Sequence, residues 1–209
     1  MKKDIDILER PLSRREMLRR TAGGLAGGML AGLAAPLFAS GTLFAAPVDA
    51  RKFLTVFYSR SGNTQVMAGF VQKAVGGDLV RIETVHPYPE AYRATTRQAR
   101  EELDSGFKPP ITTKIANLAS YDVVFIGSPC WWATIAPPVI TFLTENDLAG
   151  KTVVPFMTHK GSGLGRTQSH VESLCPNSKV LKGLAIWGDN ISSSKNDVTG
   201  WLRDIGLVS

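Results

Sequence analysis

The 209-residue chain is poor in cysteine and histidine: it has only Cys130 and Cys175, with His86, His159 and His170. Two thiols cannot build a disulfide framework or a four-cysteine zinc site. One bridge remains open, provided the two Cα atoms come within roughly 7 Å; two free thiols are the other reading. The histidines show no ligand spacing among themselves or with carboxylates, which excludes the common zinc motifs. Nucleotide fingerprints are also missing. There is no Walker loop, and Gly161-Ser162-Gly163-Leu164-Gly165-Arg166-Thr167 has neither its spacing nor its lysine. Charge of one sign is nowhere concentrated. The formal net charge is +6, but the first fifty residues hold seven Lys/Arg and five Asp/Glu, leaving 17 against 13, or +4, for the rest. Those cations are scattered among acids, so the basic face that nucleic acid requires is absent and no nucleic-acid partner is expected.

What is present suffices for one core. A composition of 44% hydrophobic and 20% charged residues belongs to a globular domain rather than a disordered chain. The length suits a single domain of roughly 100–200 residues with an appendage.

The appendage is the first fifty residues. Ser13-Arg14-Arg15-Glu16-Met17-Leu18-Arg19 precedes an uncharged, Gly- and Ala-rich stretch at 21–48. Paired arginines, an apolar residue, leucine and a base ahead of a moderately apolar run resemble a twin-arginine export signal. Ala45, Ala46 and Ala50 offer small residues for cleavage. Residues 1–50 therefore read as a removable signal, and residues 51–209 as a domain exported to the periplasm. Two alternatives stand beside this. About 20 apolar residues can span a bilayer, and Gly24, Gly28 and Gly32 have small-xxx-small spacing, which would suit an uncleaved membrane anchor; the other alternative is a disordered tail. Pro36, Pro47 and the many glycines count against an anchor, so no stable membrane insertion is expected after cleavage. Twin-arginine cargo crosses already folded, often with a cofactor in place, which directs attention to cofactor chemistry downstream.

From residue 52 onward, strand and helix patterns alternate. Residues 52–58 form a β-branched and aromatic run; a Ser/Gly/Asn loop follows, then Val66, Phe70, Val71, Ala74 and Val75 at helical spacing. Residues 79–85 alternate apolar with polar, and 90–105 form a charged helix stopped by Gly106 and Pro109-Pro110. Buried-strand runs follow at 122–127, 152–157 and 184–188. The pattern predicts helices over 136–146, 164–174 and 195–205, each long enough for a right-handed crossover. This is the signature of an α/β fold: a doubly wound, five-stranded parallel sheet with helices on both faces.

Ligands of such sheets settle at the carboxyl ends of the strands, where strand order reverses. Three loops should lie there. In Ser59-Arg60-Ser61-Gly62-Asn63-Thr64, backbone N–H groups and the helix dipole converge while three hydroxyls add donors, which suits a monophosphate held without a metal. Gly62 permits a close approach or an unusual conformation, and Asn63 can cap the helix. An ordinary capped turn has the same composition. Ser128-Pro129-Cys130-Trp131-Trp132-Ala133-Thr134 sets two tryptophans just beyond a buried strand. A flat aromatic ligand would stack on them for about 0.5–1.5 kcal/mol beyond burial, although at least one should pack onto the following helix. Thr158-His159-Lys160-Gly161-Ser162-Gly163 brings donors and small residues to a ring's polar edge. His159 reads either as a surface residue or as a proton donor, and Cys130 either as an apolar filler or as a redox-active thiol.

Tyr58 to Thr64, Gly127-Ser128-Pro129 with Trp131-Trp132, Pro137-Pro138, and Thr158-His159 with Gly161-Ser162-Gly163 together resemble the flavodoxin-like family, over residues 52–207. The resemblance implies FMN as cofactor. Ser59, Ser61, Gly62, Asn63 and Thr64 would bind its phosphate, while Pro129, Cys130, Trp131, Trp132, Thr158, Ser162 and Gly163 would face the ring. Arg60, Ser128, Ala133 and His159 belong to the same loops and are counted with the site. It also implies electron transfer, or an FMN-dependent NAD(P)H or quinone-type oxidoreductase, working with a redox partner protein or a small-molecule electron donor or acceptor. A non-redox binding protein on the same fold is the alternative. Two departures follow. Small flavodoxins are typically acidic and this chain is not, so its partner should differ. Residues 129–133 also lack the glycine whose peptide flip stabilises one-electron-reduced flavin in the family. Since a non-glycine residue resists positive φ by roughly 1 kcal/mol or more, two-electron chemistry is expected.

Overall fold

Phe53–Phe57 (β1) is buried at all five positions, with Phe53 and Phe57 in one apolar cluster and Leu54 and Val56 in another. A strand apolar on both faces must be covered on both faces. The central residues of Val123–Trp131 (β3) and Thr152–His159 (β5) behave in the same way. The computed structural model describes residues 50–209; the twin-arginine motif and the apolar run behind it lie outside the described residues. β1 pairs in parallel with Asp78–Arg81 (β2) on one side and β3 on the other, and β3 pairs in parallel with β5. The position beyond β5 is filled by two pieces, Lys179–Val180 (β6) and Leu184–Trp187 (β7), both parallel to β5. The sheet therefore has the five expected parallel positions, with its order reversing between β1 and β3.

Two short strands go beyond the sequence reading. The fifth position is split opposite Val154 and Pro155; proline has no N–H to donate, so the ladder fails there. Thr134–Ile135 (β4) folds back antiparallel on the end of β3, pairing Trp131 with Thr134 and Cys130 with Ile135. What the sequence presents as a loop after β3 is thus mostly strand and hairpin.

Asn63–Val75 (α1), Tyr92–Ser105 (α2), Pro137–Glu145 (α3), Thr167–Leu174 (α4) and Lys195–Asp204 (α5) occupy the expected crossovers. α1 and α5 cover the face carrying Phe125 and Phe156, while α3 and α4 cover the face carrying Val124 and Ile126. The buried stripe of α1 is Thr64, Met67, Ala68 and Val71, whereas Val66 is 40% exposed. Of the residues read at helical spacing, Val71 is in that stripe and Phe70 and Val75 pack against the same apolar cluster, while Met67 and Ala68 are additions to the reading.

Gly127 marks the tightest point of the sheet near its carboxyl end. A Cβ there would lie 2.3 Å from the Phe156 ring and 2.8 Å from Phe57 Cβ. Both are large buried side chains with no room to withdraw. We expect Gly127→Ala to lose about 1–3 kcal/mol of stability through overpacking, measured by urea denaturation; an unchanged midpoint would show that the two rings can yield.

Candidate functional site

β1, β3 and β5 end side by side, and the chain that follows each lines one cleft of about 690 Å³. That size is within the range of small-molecule sites.

The first loop owes its shape to two residues. Gly62 sits at φ +90 in the left-handed region, with open space around its Cα, so conformation rather than crowding requires glycine. Its N–H donates to Ser59 Oγ at 3.1 Å. Gly62, not Asn63, occupies the N-cap position of α1; no side chain caps the helix and no acid lies in its first turn. The expected Asn63 cap is therefore not formed. Asn63 is the first helical residue, and its side chain reaches the point where a Cβ on Gly188 would stand, 2.7 Å from Nδ2. The free first-turn N–H groups make this end of the helix a place for an anion. Thr64 is turned inward. Its Oγ1 lies 2.9 Å from Thr158 Oγ1, tying the first loop to the third.

The second loop is a two-residue hairpin turn. Trp132 and Ala133 have φ of 52° and 60°, the left-handed pair that a type I′ turn demands and that Asn-Gly usually supplies. Without glycine this costs about 1–2 kcal/mol per residue. Three contacts offset it: Trp132 Nε1–H donates to Thr96 O at 2.9 Å, the Arg100 guanidinium lies 5.1 Å from the Trp132 ring centroid, and Arg166 N–H donates to Ala133 O at 2.7 Å. The glycine-free loop thus does adopt positive φ, contrary to the expectation from composition, so the missing glycine carries no argument about one- or two-electron chemistry. Ser128 is fully buried, its Oγ accepting from Ala136 N–H at 2.8 Å. The ring of Trp131 meets Tyr58 at 5.6 Å and Tyr88 at 5.1 Å, both edge-on. The tryptophan side chains thus find partners in Tyr58 just after β1, in Tyr88 after β2, and in α2, and Trp131 also packs against the apolar cluster that includes Val139 and Phe142 of the following helix.

In the third loop, His159 Nδ1 accepts the Gly161 N–H at 3.0 Å and the ring stands edge-on to Trp187. Burial holds its pKa below the usual 6.5, so the ring is neutral at pH 7 with its proton on Nε2. Lys160 pairs with Asp189, which also accepts Trp187 Nε1–H at 3.0 Å; Lys160 and then Trp187 hold that carboxyl below the usual range.

Of the residues singled out by sequence, Arg60, Ser61, Asn63, Pro129, Cys130, Trp131, Trp132, Thr158, His159 and Ser162 line the cleft. Ser59, Gly62, Thr64, Ser128, Ala133 and Gly163 stand behind it and shape the backbone. Tyr92 and Thr96 of α2, with Gly188, complete the lining and were missed, while Lys160 belongs to the third loop but was not counted with the site. The clue for α2 was an aromatic and a hydroxyl four residues apart on a helix otherwise full of charge. Arg60 and Lys160 are the charged side chains of the lining, and no carboxylate is among them.

The match to the Flavodoxin family model spans residues 52–205. The chain belongs to the flavodoxin family. Among solved structures, provisionally named flavoproteins from Bacteroides eggerthii and Bacteroides uniformis are 31% and 30% identical to this flavodoxin-family chain. They cover 74% and 73% of it and 98% of their own lengths, with TM-scores of 0.66 and 0.65. A flavoprotein from Lactobacillus acidophilus, solved in complex with FMN, is 23% identical, covers 69% of this chain and 98% of its own, and superposes with a TM-score of 0.58, which shows the shared fold. No curated protein matches.

Both thiols of this flavodoxin-family domain are free. Burial pushes the Cys130 thiol up, against the lowering effect of Ser162 and the Ala133 backbone, and pushes Cys175 up to about 11. The thiolate is the nucleophile, so Cys130 should alkylate more slowly than free cysteine at pH 7.5 and gain reactivity only as pH rises past 9. Peptide mapping after iodoacetamide checks this; fast labelling at neutral pH would revive the redox-thiol reading.

Proposed function

We propose that this chain is an FMN-binding flavoprotein that works in electron transfer or as a flavin-dependent oxidoreductase. The observation that carries this reading is the cleft itself. One end is an uncapped helix start beside Arg60, and the other is an aromatic hairpin held in a strained turn. The donor set fits FMN: the Ser61 side chain, the first-turn amides of α1 and Arg60 suit a phosphate dianion, while Trp132, Pro129, Cys130 and Thr158 offer apolar and polar groups to a flat ring system. A relative of the same fold carries FMN. Bound FMN would supply the redox chemistry; the chain's part is to bind, orient and shield it. Tyr58, Tyr88 and Trp131 pack ring against ring beside the hairpin, with Trp131 lining the cleft. The physiological donor or acceptor is a redox protein or a small molecule.

Fluorescence titration of the flavin-free protein tests the reading. FMN should bind with its emission changed, and riboflavin, which lacks the phosphate, should bind at least tenfold more weakly. Gly62→Ala should weaken FMN about tenfold, because the turn would carry a left-handed alanine costing about 1–2 kcal/mol. Failure to take up FMN, or equal affinity for riboflavin, would defeat the assignment.

Export to the periplasm by the twin-arginine route is part of the same proposal and rests on Arg14-Arg15 and the apolar run behind them. Among the described residues no helix is long and apolar enough to cross a membrane. Replacing both arginines by lysine should hold the protein in the cytoplasmic fraction at its uncleaved mass. Unimpaired export of that variant would exclude this route, and wild-type chain recovered uncleaved in membranes would favour the anchor.

A further inference from the structure

Trp132 also lines a second cavity, of about 520 Å³, bounded by Arg100, Asp104, Arg166, Ser169, His170 and Ser173 together with Leu103 and Thr134. Its charged groups are two guanidiniums and one carboxylate. Asp104 accepts from Arg100 Nε at 2.7 Å, but both side chains are more than half exposed, and such pairs bind weakly and release easily. The Arg166 side chain makes no hydrogen bond or ion pair among the described residues, yet its backbone is firmly placed. Its N–H holds Ala133 O at the hairpin tip, and Gly165 before it sits at φ +54, where a Cβ would lie 2.3 Å from that same oxygen.

His170 completes the donor set. Thr134 Oγ1 lies 2.7 Å from its Nδ1; with the threonine donating, the ring carries its proton on Nε2. Burial, aided by Arg166, keeps its pKa below 6.5, so the ring is a neutral donor at pH 7. Ser169 and Ser173 give their protons to the carbonyls of Arg166 and His170. Donors to a ligand therefore come from Arg100, Arg166 and His170. Two planar forks with a neutral N–H match a carboxylate or phosphate. Arg100 already stacks on Trp132, so an anion drawn to it is brought beside the indole that walls the main cleft.

We propose that this second cavity is an anion subsite: it takes the carboxylate or phosphate of a small organic molecule whose remaining part runs along Trp132 toward the main cleft. That this molecule is the reaction partner of the cleft rests on the flavin reading; the binding of the anion does not.

With three histidines in the chain, ring signals in nuclear magnetic resonance resolve the question on the full-length protein. Inorganic phosphate and acetate, in separate titrations, should move the His170 signals along a saturating curve and leave His86 still. Saturating phosphate should raise the His170 pKa, because a bound anion favours imidazolium. Arg166→Gln should weaken the response at least tenfold, and Arg166→Lys should restore part of it. Phenyl phosphate should bind more tightly than inorganic phosphate and quench the fluorescence that Trp132→Phe removes. The proposal is overturned if His170 does not respond, if Arg166→Gln responds equally, or if only His159 responds, which would place the phosphate in the main cleft. It is also overturned if all three signals drift linearly with salt, as for an adventitious ion only. Repeating the titration with FMN separates the two readings. Loss of FMN uptake with the His170 response intact defeats the flavin assignment alone, and the converse defeats the subsite alone.

Discussion

The reversal of strand order between β1 and β3 is the constraint on which the rest depends. Right-handed crossovers leave these neighbours in opposite directions, α1 to one face and α3 to the other, and a crevice must open above the strand ends between them. The same geometry lets the loops after β1, β3 and β5 converge without any of them being long. The Thr64–Thr158 hydroxyl pair then locks the first loop to the third across the base of the crevice.

Within that crevice the hairpin after β3 is the costly element. Two consecutive left-handed residues without glycine persist only because the surroundings overdetermine them. α2 holds Trp132 by its indole N–H and by Arg100, and the turn before α4 holds Ala133 by its carbonyl. Segments from two separate crossovers thus fix one two-residue turn, and the tryptophan of that turn forms part of the wall of both cavities. A substitution in α2 or at Gly165 would be felt at the cleft although neither position holds a reactive group.

Electrostatics reinforce the arrangement. The cleft lining holds Arg60 and Lys160 and no carboxylate, and the α1 terminus adds its own partial positive charge. A net surplus of four cations after residue 50 is mild over the whole surface, and Lys160 is paired with Asp189, so the local bias comes mainly from Arg60 and the α1 terminus. That bias suits an anionic cofactor.

Sequence alone determined the layered fold, because alternating buried strands and amphipathic helices have few ways to cover both faces of a sheet. It also located three loops, since Ser-Gly-Asn turns and exposed tryptophans have local chemical signatures. Tertiary structure decided the rest. That Thr64 faces inward, that Trp131 belongs to a wall with Tyr58 and Tyr88, and that α2 contributes Tyr92 and Thr96 all follow from contacts between segments roughly 30 to 95 residues apart. The left-handed turn at Trp132 and Ala133 runs against local propensity, and only remote partners could hold it. A residue's own neighbours in the chain say what it prefers; which preference is overridden depends on what the fold places against it.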